Sequence, residues 1–174
     1  MPNHLSILGI IHTAISILAL LAAFYCLFRD GKITPLNGSG KLYILLTAIT
    51  CLTAFPIMKT GHFTAAHGVA IVVLILLPIG LYAKAIRALG KSAAYIETIA
   101  MSTTLFLSGI PTIVETLTRL PISHPIASGP NDPIIQKGLM VLVVLYTVGI
   151  AYQLYKIWKK KKSAQTPDST VKLS

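Results

Sequence analysis

Five long apolar runs, separated by short polar and basic segments, constrain this chain more than any other feature. The runs cover residues 5–28, 42–58, 64–86, 93–117 and 134–158. A helix needs about 20 apolar residues to cross the hydrocarbon core of a bilayer, and every run except the second is that long. The pattern therefore predicts an all-α fold: an integral membrane bundle of five transmembrane helices that forms a single domain over residues 1–158.

The composition agrees with a membrane location. Hydrophobic residues make up 54% of the chain and charged residues only 11%, whereas soluble chains carry about 25% charged residues. The formal charge of +10 would suit nucleic acid only if the basic residues formed one face of a soluble domain. They fall instead between the apolar runs, as they do in membrane proteins. We therefore expect the lipid bilayer as a partner and no nucleic acid.

The distribution of Lys and Arg predicts how the bundle is oriented. Most of these residues lie at the end of the first, third or fifth run or follow it: Arg29, Lys32, Lys41, Lys84, Arg87, Lys91, Lys156, Lys159, Lys160, Lys161, Lys162 and Lys172. The other side has only Lys59, Arg119 and Lys137. Because basic loops stay in the cytoplasm, we expect the N-terminus outside and the C-terminus inside a cell (inner) membrane. The polar, basic residues 159–174 predict a disordered cytoplasmic tail.

Two histidines inside the apolar runs are candidate ligands. His12 precedes Arg29, the first basic residue after its run, by 17 residues, and His67 precedes Lys84 by the same number. At about 1.5 Å per helical residue, both rings lie roughly 25 Å from the same membrane face. A polar ring in hydrocarbon needs a partner, so intramembrane histidines are functional candidates. A neutral imidazole that is hydrogen-bonded across helices as part of the packing is the alternative.

The chemistry of these histidines points to a cofactor. Two imidazoles at matched depth on different helices could hold one b-type haem between them. Alternatively, three or four ligands for a divalent transition metal near the outer surface could come from His12, His62, His67 and Glu115. The five-residue spacing of His62 and His67 opposes a compact metal site unless the helix begins after His62. Haem b and a divalent metal both stay open, in a redox or metal-handling role, and no set of catalytic residues can be argued.

The fourth run carries a polar stripe. At about 100° per residue, one helical face within about 40° holds Glu97, Thr104, Ser108 and Glu115. The opposite face is apolar, so we expect the stripe to turn toward the bundle interior. Such side chains could line a path for protons or a solute, which makes a small transporter or channel an alternative function.

The two carboxylates of the stripe also have simpler interpretations. Glu115 and Arg119 have the i,i+4 spacing and order that favour an ion pair on a helix. Glu97 lies about two turns inside Lys91, so we expect it to reach the cytoplasmic surface rather than to be buried.

A third possible function is that of a non-catalytic accessory subunit, which docks a membrane protein partner or a second copy of this chain.

Three short motifs between roughly Ile11 and Tyr82 carry a family resemblance. They are His12-Thr13-Ala14, Gly40-Lys41-Leu42-Tyr43 and Gly61-His62-Phe63-Thr64-Ala65-Ala66-His67. Together they resemble a family of bacterial membrane proteins catalogued as domain of unknown function 2306. The resemblance implies a small bundle of cytochrome b561-like architecture whose first-span and third-span histidines match His12 and His67. The further cytoplasmic histidines of that family correspond here to Leu36 and approximately Tyr95, so only an outer site is expected.

Overall fold

The computed structural model of the protein describes residues 6–57, 63–121 and 123–165, and these residues form helices and connecting loops without any strand. The helices are α1 (Ile7–Asp30), α2 (Gly38–Ala54), α3 (Ala65–Tyr82), α4 (Ala93–Arg119) and α5 (Pro133–Gln165). A 3₁₀ segment, Arg87–Ser92, leads into α4. All except α2 are long and apolar enough to cross a membrane. The all-helical prediction is confirmed, and the four apolar helices support a multi-pass membrane protein.

Capping residues, rather than the ends of the apolar runs, fix the helix boundaries. The hydroxyl of Ser6 accepts a hydrogen bond from the Gly9 N–H at 3.1 Å and starts α1. Asn37 does the same for α2, where its side-chain oxygen accepts from the Gly40 N–H at 2.7 Å. Such caps satisfy N–H groups that have no partner within the helix. Helix α2 therefore begins four residues before the predicted position 42.

Helix α5 differs most from the prediction at its C-terminal end. It continues to Gln165, seven residues beyond the expected end of the fifth span, into the segment that we predicted to be disordered. The four lysines at 159–162 are good helix formers, so the helix extends although the apolar pattern has ended. The remainder of the predicted tail, residues 166–174, lies outside the described residues.

A common core joins the first four helices, which run alternately up and down. Its buried members are mostly small or medium-sized side chains: Ala22, Ala23, Cys26, Ile33, Tyr43, Cys51, Ala70, Val73, Leu77 and Met101. Small residues let helix backbones approach closely, which is how membrane helices gain packing energy. Helix α5 packs on α4 through hydrogen bonds from Ser102 to Gln153 (2.7 Å) and between Thr103 and Tyr146 (2.8 Å). Much of its remaining surface is apolar and exposed, as suits contact with lipid.

The two ends of the bundle carry different side chains. One end, which we call the histidine end, holds His12 near the start of α1 and His67 at the start of α3. The other, the lysine end, holds Lys32 after α1, Lys84 after α3 and Lys161 near the end of α5.

The Gly40-Lys41-Leu42-Tyr43 motif has a packing role near the lysine end. A Cβ atom at Gly40 would lie 1.9 Å from the carbonyl oxygen of Thr34, so the loop can pass α2 only because residue 40 is glycine. Tyr43 is 1% exposed, and its hydroxyl lies 2.8 Å from the Thr104 hydroxyl. Because Thr104 donates its own proton to the Met101 carbonyl, Tyr43 is the donor to Thr104. The motif thus ties α2 to its preceding loop and to α4.

Candidate functional site

His12 projects from the second turn of α1 toward the last turn of α2. Its Nδ1 atom lies 3.0 Å from the Thr53 hydroxyl oxygen. That hydroxyl directs its single proton to the carbonyl oxygens of Ile49 (2.9 Å) and Thr50 (3.0 Å) of its own helix. We therefore assign Thr53 as the acceptor from His12, which places the proton of the neutral ring on Nδ1 and leaves a lone pair on Nε2. A histidine oriented in this way is ready to bind a metal through Nε2.

His67 has a different role in its own helix. It is the third residue of α3, and its Nδ1 accepts a hydrogen bond from the backbone N–H of Thr64 at 3.0 Å. The same nitrogen lies 2.9 Å from the Thr64 hydroxyl. His67 thus takes the place that Glu or Gln holds in a capping box. The ring is 3% exposed and packs against Phe63 and Phe55, with ring centroids 5.0 and 6.3 Å away.

The two rings consequently have opposite hydrogen-bonding character at Nε2. Because Nδ1 of His67 accepts, its neutral ring carries the proton on Nε2, which is then a donor and cannot bind a metal in this arrangement. Both histidines lie at the histidine end, but no hydrogen bond or ring contact between described side chains joins them. Within the described residues, no three His, Cys, Asp or Glu side chains form a group that could hold a metal ion. His62, the other predicted histidine ligand, lies outside those residues.

Glu115 is the predicted carboxylate ligand at the histidine end. It lies on α4 close enough to His12 for the two groups to interact electrostatically. It also forms the i,i+4 ion pair with Arg119 that the spacing favours. The side chain of Glu115 is 49% exposed, so the carboxylate can be reached from outside the bundle. The structure therefore places His12 and Glu115, from α1 and α4, at the same end of the bundle and within range of electrostatic interaction.

The middle of the polar stripe is satisfied by its own helix. Thr104, Ser108 and Thr112 donate their hydroxyl protons to the carbonyl oxygens of Met101, Thr104 and Ser108, at 2.7 to 2.8 Å. Thr104 is fully buried, as expected of a stripe that faces the interior. Hydroxyls that are already bonded to backbone need no solute or water as a partner. These contacts favour a packing role for Thr104 and Ser108.

Glu97 corrects one of our expectations. We expected it to reach the cytoplasmic surface, but its side chain is 1% exposed. One carboxylate oxygen, Oε1, accepts from Lys84 Nζ at 2.8 Å and from Lys32 Nζ at 3.1 Å. The lysines remain 44% and 27% exposed, so they bring their charge inward from the lysine end rather than let Glu97 extend outward. A buried carboxylate requires such partners.

Sequence reasoning missed the partners of these groups. The sequence places Lys32 and Lys84 on the same side of the bundle as Glu97, since each lies at or after the end of an apolar run. It does not show that both lysines reach Glu97, because that depends on how the helices are arranged. Thr53 gives a weaker signal, a hydroxyl near the end of an apolar helix. Its pairing with His12 follows from the register of α1 against α2, which a single sequence does not reveal.

Comparison with known protein families, curated proteins and solved structures finds no match to the chain. The resemblance to the family of domain of unknown function 2306, and to a cytochrome b561-like bundle, therefore stays a prediction. The local geometry of the described residues carries the functional argument.

Proposed function

We propose that this chain is a five-span protein of the cell (inner) membrane, with its N-terminus outside, which handles a divalent transition metal at its histidine end. The orientation is supported by the concentration of Lys and Arg after the first, third and fifth apolar runs. The span count includes α2, which has 17 residues and a length of about 26 Å. A helix of that length spans a core of about 30 Å if the bilayer thins slightly around it.

The single observation that carries the metal proposal is the hydrogen bond between His12 and Thr53. A histidine that binds a metal almost always donates its other ring N–H to an oxygen, which fixes the tautomer and the ring direction. The 3.0 Å contact from Nδ1 to the Thr53 hydroxyl supplies that arrangement, and the ring is half-buried rather than enclosed. Nε2 can then bind a metal without any change of proton position.

Glu115 suits the role of a second ligand. Its carboxylate complements an imidazole for zinc, manganese or iron, which accept mixed nitrogen and oxygen ligands. It lies at the same end of the bundle as His12, its side chain is 49% exposed, and its ion pair with Arg119 is local to one helix turn. The remaining coordination positions would be filled by water or by a group beyond the described residues, where His62 lies.

The His67 geometry favours this proposal over haem held between two histidines. Axial ligation of haem iron by both rings needs a lone pair on a nitrogen of each. Nδ1 of His67 is used by the Thr64 N–H, and Phe63 and Phe55 pack against the ring. Haem between His12 and His67 would require His67 to give up the hydrogen bond from the Thr64 N–H that caps α3, whereas metal binding at His12 requires no such change.

The first experiment measures metal and haem in the purified protein. Equilibrium dialysis against Zn²⁺ or Co²⁺ with elemental analysis should give one bound ion per chain, and bound Co²⁺ should show a visible spectrum of nitrogen and oxygen ligation. His12→Ala should abolish the bound ion, and Glu115→Gln should weaken it. The matched control is His124→Ala, because His124 is an exposed histidine in the loop between α4 and α5.

A second variant tests the positioning of His12 directly. Thr53→Val keeps the shape of the side chain but removes the oxygen that fixes the ring, so affinity should fall by about 10- to 100-fold while Thr53→Ser restores it. Equal binding by wild type and His12→Ala, or an equal loss in His12→Ala and His124→Ala, would refute the metal site. A Soret band that disappears in His67→Ala would replace it with haem.

A further inference from the structure

A basic cavity lies at the lysine end, where the 3₁₀ segment faces the last turns of α5. Its volume is about 310 Å³, and it is lined by Lys91, Ser92, Tyr95, Trp158, Lys161 and Lys162. Three ammonium groups, a hydroxyl, a phenol and an indole N–H surround it, and these can all donate hydrogen bonds. Among the described residues, the lining includes no carboxylate. A cavity with this chemistry selects an anion that offers several acceptor oxygens.

Two of the three ammonium groups lie over aromatic rings. Lys161 Nζ lies 4.2 Å from the centroid of the Tyr95 ring and donates to the carbonyl oxygen of Lys91. Lys162 Nζ lies 5.3 Å from the centroid of the Trp158 ring. An ammonium has three donors, so Lys161 keeps donors for a ligand after the bond to Lys91. Cation–π contact reduces the entropy that these long side chains would lose when they bind.

The acidic side chains of the described chain are engaged elsewhere. Asp30 pairs with Arg29, and Glu97 pairs with Lys32 and Lys84. Glu115 pairs with Arg119, and Asp132 accepts a hydrogen bond from Ser128. None of these four neutralises Lys91 or Lys161. Within the described residues, no acidic side chain therefore offsets the charge of Lys91 or Lys161.

We propose that this cavity binds the phosphate of an anionic phospholipid headgroup. A phosphate offers the several oxygens that the lysines and Ser92 require, and lysines near a membrane surface attract anionic lipid. Tyr95 and Trp158 are amphipathic rings of the kind that lie at the headgroup level. Ile99, one turn after Tyr95 on α4, and Val148, on the earlier turns of α5, are exposed apolar side chains that suit contact with acyl chains. This site is separate from the histidine end and does not rest on the metal proposal.

Trp158 is the only tryptophan in the chain and lines the cavity, so its fluorescence reports on occupancy. The protein is reconstituted in phosphatidylcholine bilayers that contain a rising fraction of phosphatidylglycerol brominated near the headgroup end of its acyl chains. Quenching should saturate at a fraction at least tenfold lower than with brominated phosphatidylcholine. Equal quenching by the two lipids would overturn the proposal.

Two charge-matched double variants separate the cavity from general attraction. Lys91→Gln/Lys161→Gln changes the lining, whereas Lys159→Gln/Lys160→Gln removes the same charge from exposed positions outside it. The first should lose the preference for phosphatidylglycerol by at least tenfold more than the second; equal losses would refute a specific site. Lys161→Arg keeps the charge and should retain the preference for phosphatidylglycerol. That result would attribute the loss in the double variant to the missing charge and not to misfolding. Reversal of quenching by soluble glycerol phosphate at millimolar concentration would assign the site to a free phosphate and overturn the lipid proposal.

Discussion

The buried carboxylate of Glu97 allows an unusually sharp test of what stabilises the lysine end. The Oε1 atom accepts from Lys84 Nζ at 2.8 Å and from Lys32 Nζ at 3.1 Å, while the carboxylate itself is 1% exposed. The lysines can regain water if the carboxylate is removed, because their side chains are 44% and 27% exposed. The carboxylate has no such alternative. The structure therefore predicts that removing the acid costs less than removing both bases.

The magnitudes follow from this asymmetry. Glu97→Gln keeps an acceptor oxygen and loses only the charge, so each of two charge-assisted hydrogen bonds becomes an ordinary one, at a cost of about 2 kcal/mol in total. Lys32→Met/Lys84→Met leaves a buried carboxylate without its partners, which costs about 3–5 kcal/mol. In the triple variant, Glu97→Gln added to the double lysine change should raise stability, because it removes the orphaned charge.

Thermal unfolding in detergent can be followed with a thiol-reactive dye. The cysteines, Cys26 and Cys51, are free and buried in the core, so they react only when the bundle opens. For a chain of this size, about 1 kcal/mol lowers Tm by roughly 2–4 °C. We expect Tm to fall by about 4–8 °C in Glu97→Gln and by about 6–20 °C in the double lysine variant. Lys41→Met, at an exposed position, controls for the loss of a surface charge and should change little.

The order of the variants is the decisive result. If Glu97→Gln lowers Tm more than Lys32→Met/Lys84→Met, then the lysines depend on the carboxylate more than the carboxylate depends on the lysines. If the triple variant is less stable than the double, the orphaned carboxylate carries no penalty. Either outcome would refute the reasoning from burial.

Two further predictions concern the N-terminal ends of α2 and α5. Gly40→Ala should lower the free energy of unfolding by about 2 kcal/mol, because the added Cβ would meet a backbone carbonyl at 1.9 Å. Gly38→Ala, whose Cβ meets nothing within 4 Å, should leave Tm unchanged, and equal melting of the two variants would refute the clash. Hydrogen bonds from the backbone N–H groups of Ser128 and Ile134 hold the pKa of Asp132, just before α5, below its ordinary value of 3.8. Because the folded pKa is the lower one, this contribution is complete above about pH 4 and is lost as the pH falls through the folded value. Asp132→Asn should therefore lower Tm at pH 7 but not at the acid end of a pH series, and an unchanged difference across the series would contradict this.

The helices were predictable because a membrane span needs only length and hydrophobicity. Their ends were not, because local hydrogen bonds decide where a helix starts and stops. Asn37 starts α2 within a polar stretch that the apolar pattern excludes, and α5 is still helical at Gln165, the last described residue, well after that pattern stops. The burial of Glu97 was missed for a different reason: from sequence its nearest base is Lys91, whereas in the fold its partners come from the loops after α1 and α3.

The histidines show where sequence reasoning reaches its limit. Counting residues from the basic ends placed His12 and His67 at the same depth, and both do lie at the histidine end. Depth, however, does not determine which ring nitrogen is available. A threonine hydroxyl on a neighbouring helix sets the proton of His12, and the backbone N–H of Thr64 sets that of His67, so two residues that look equivalent in sequence have opposite chemistry at Nε2. A cofactor proposal for such a bundle therefore has to begin from the hydrogen bond on the far side of each ring.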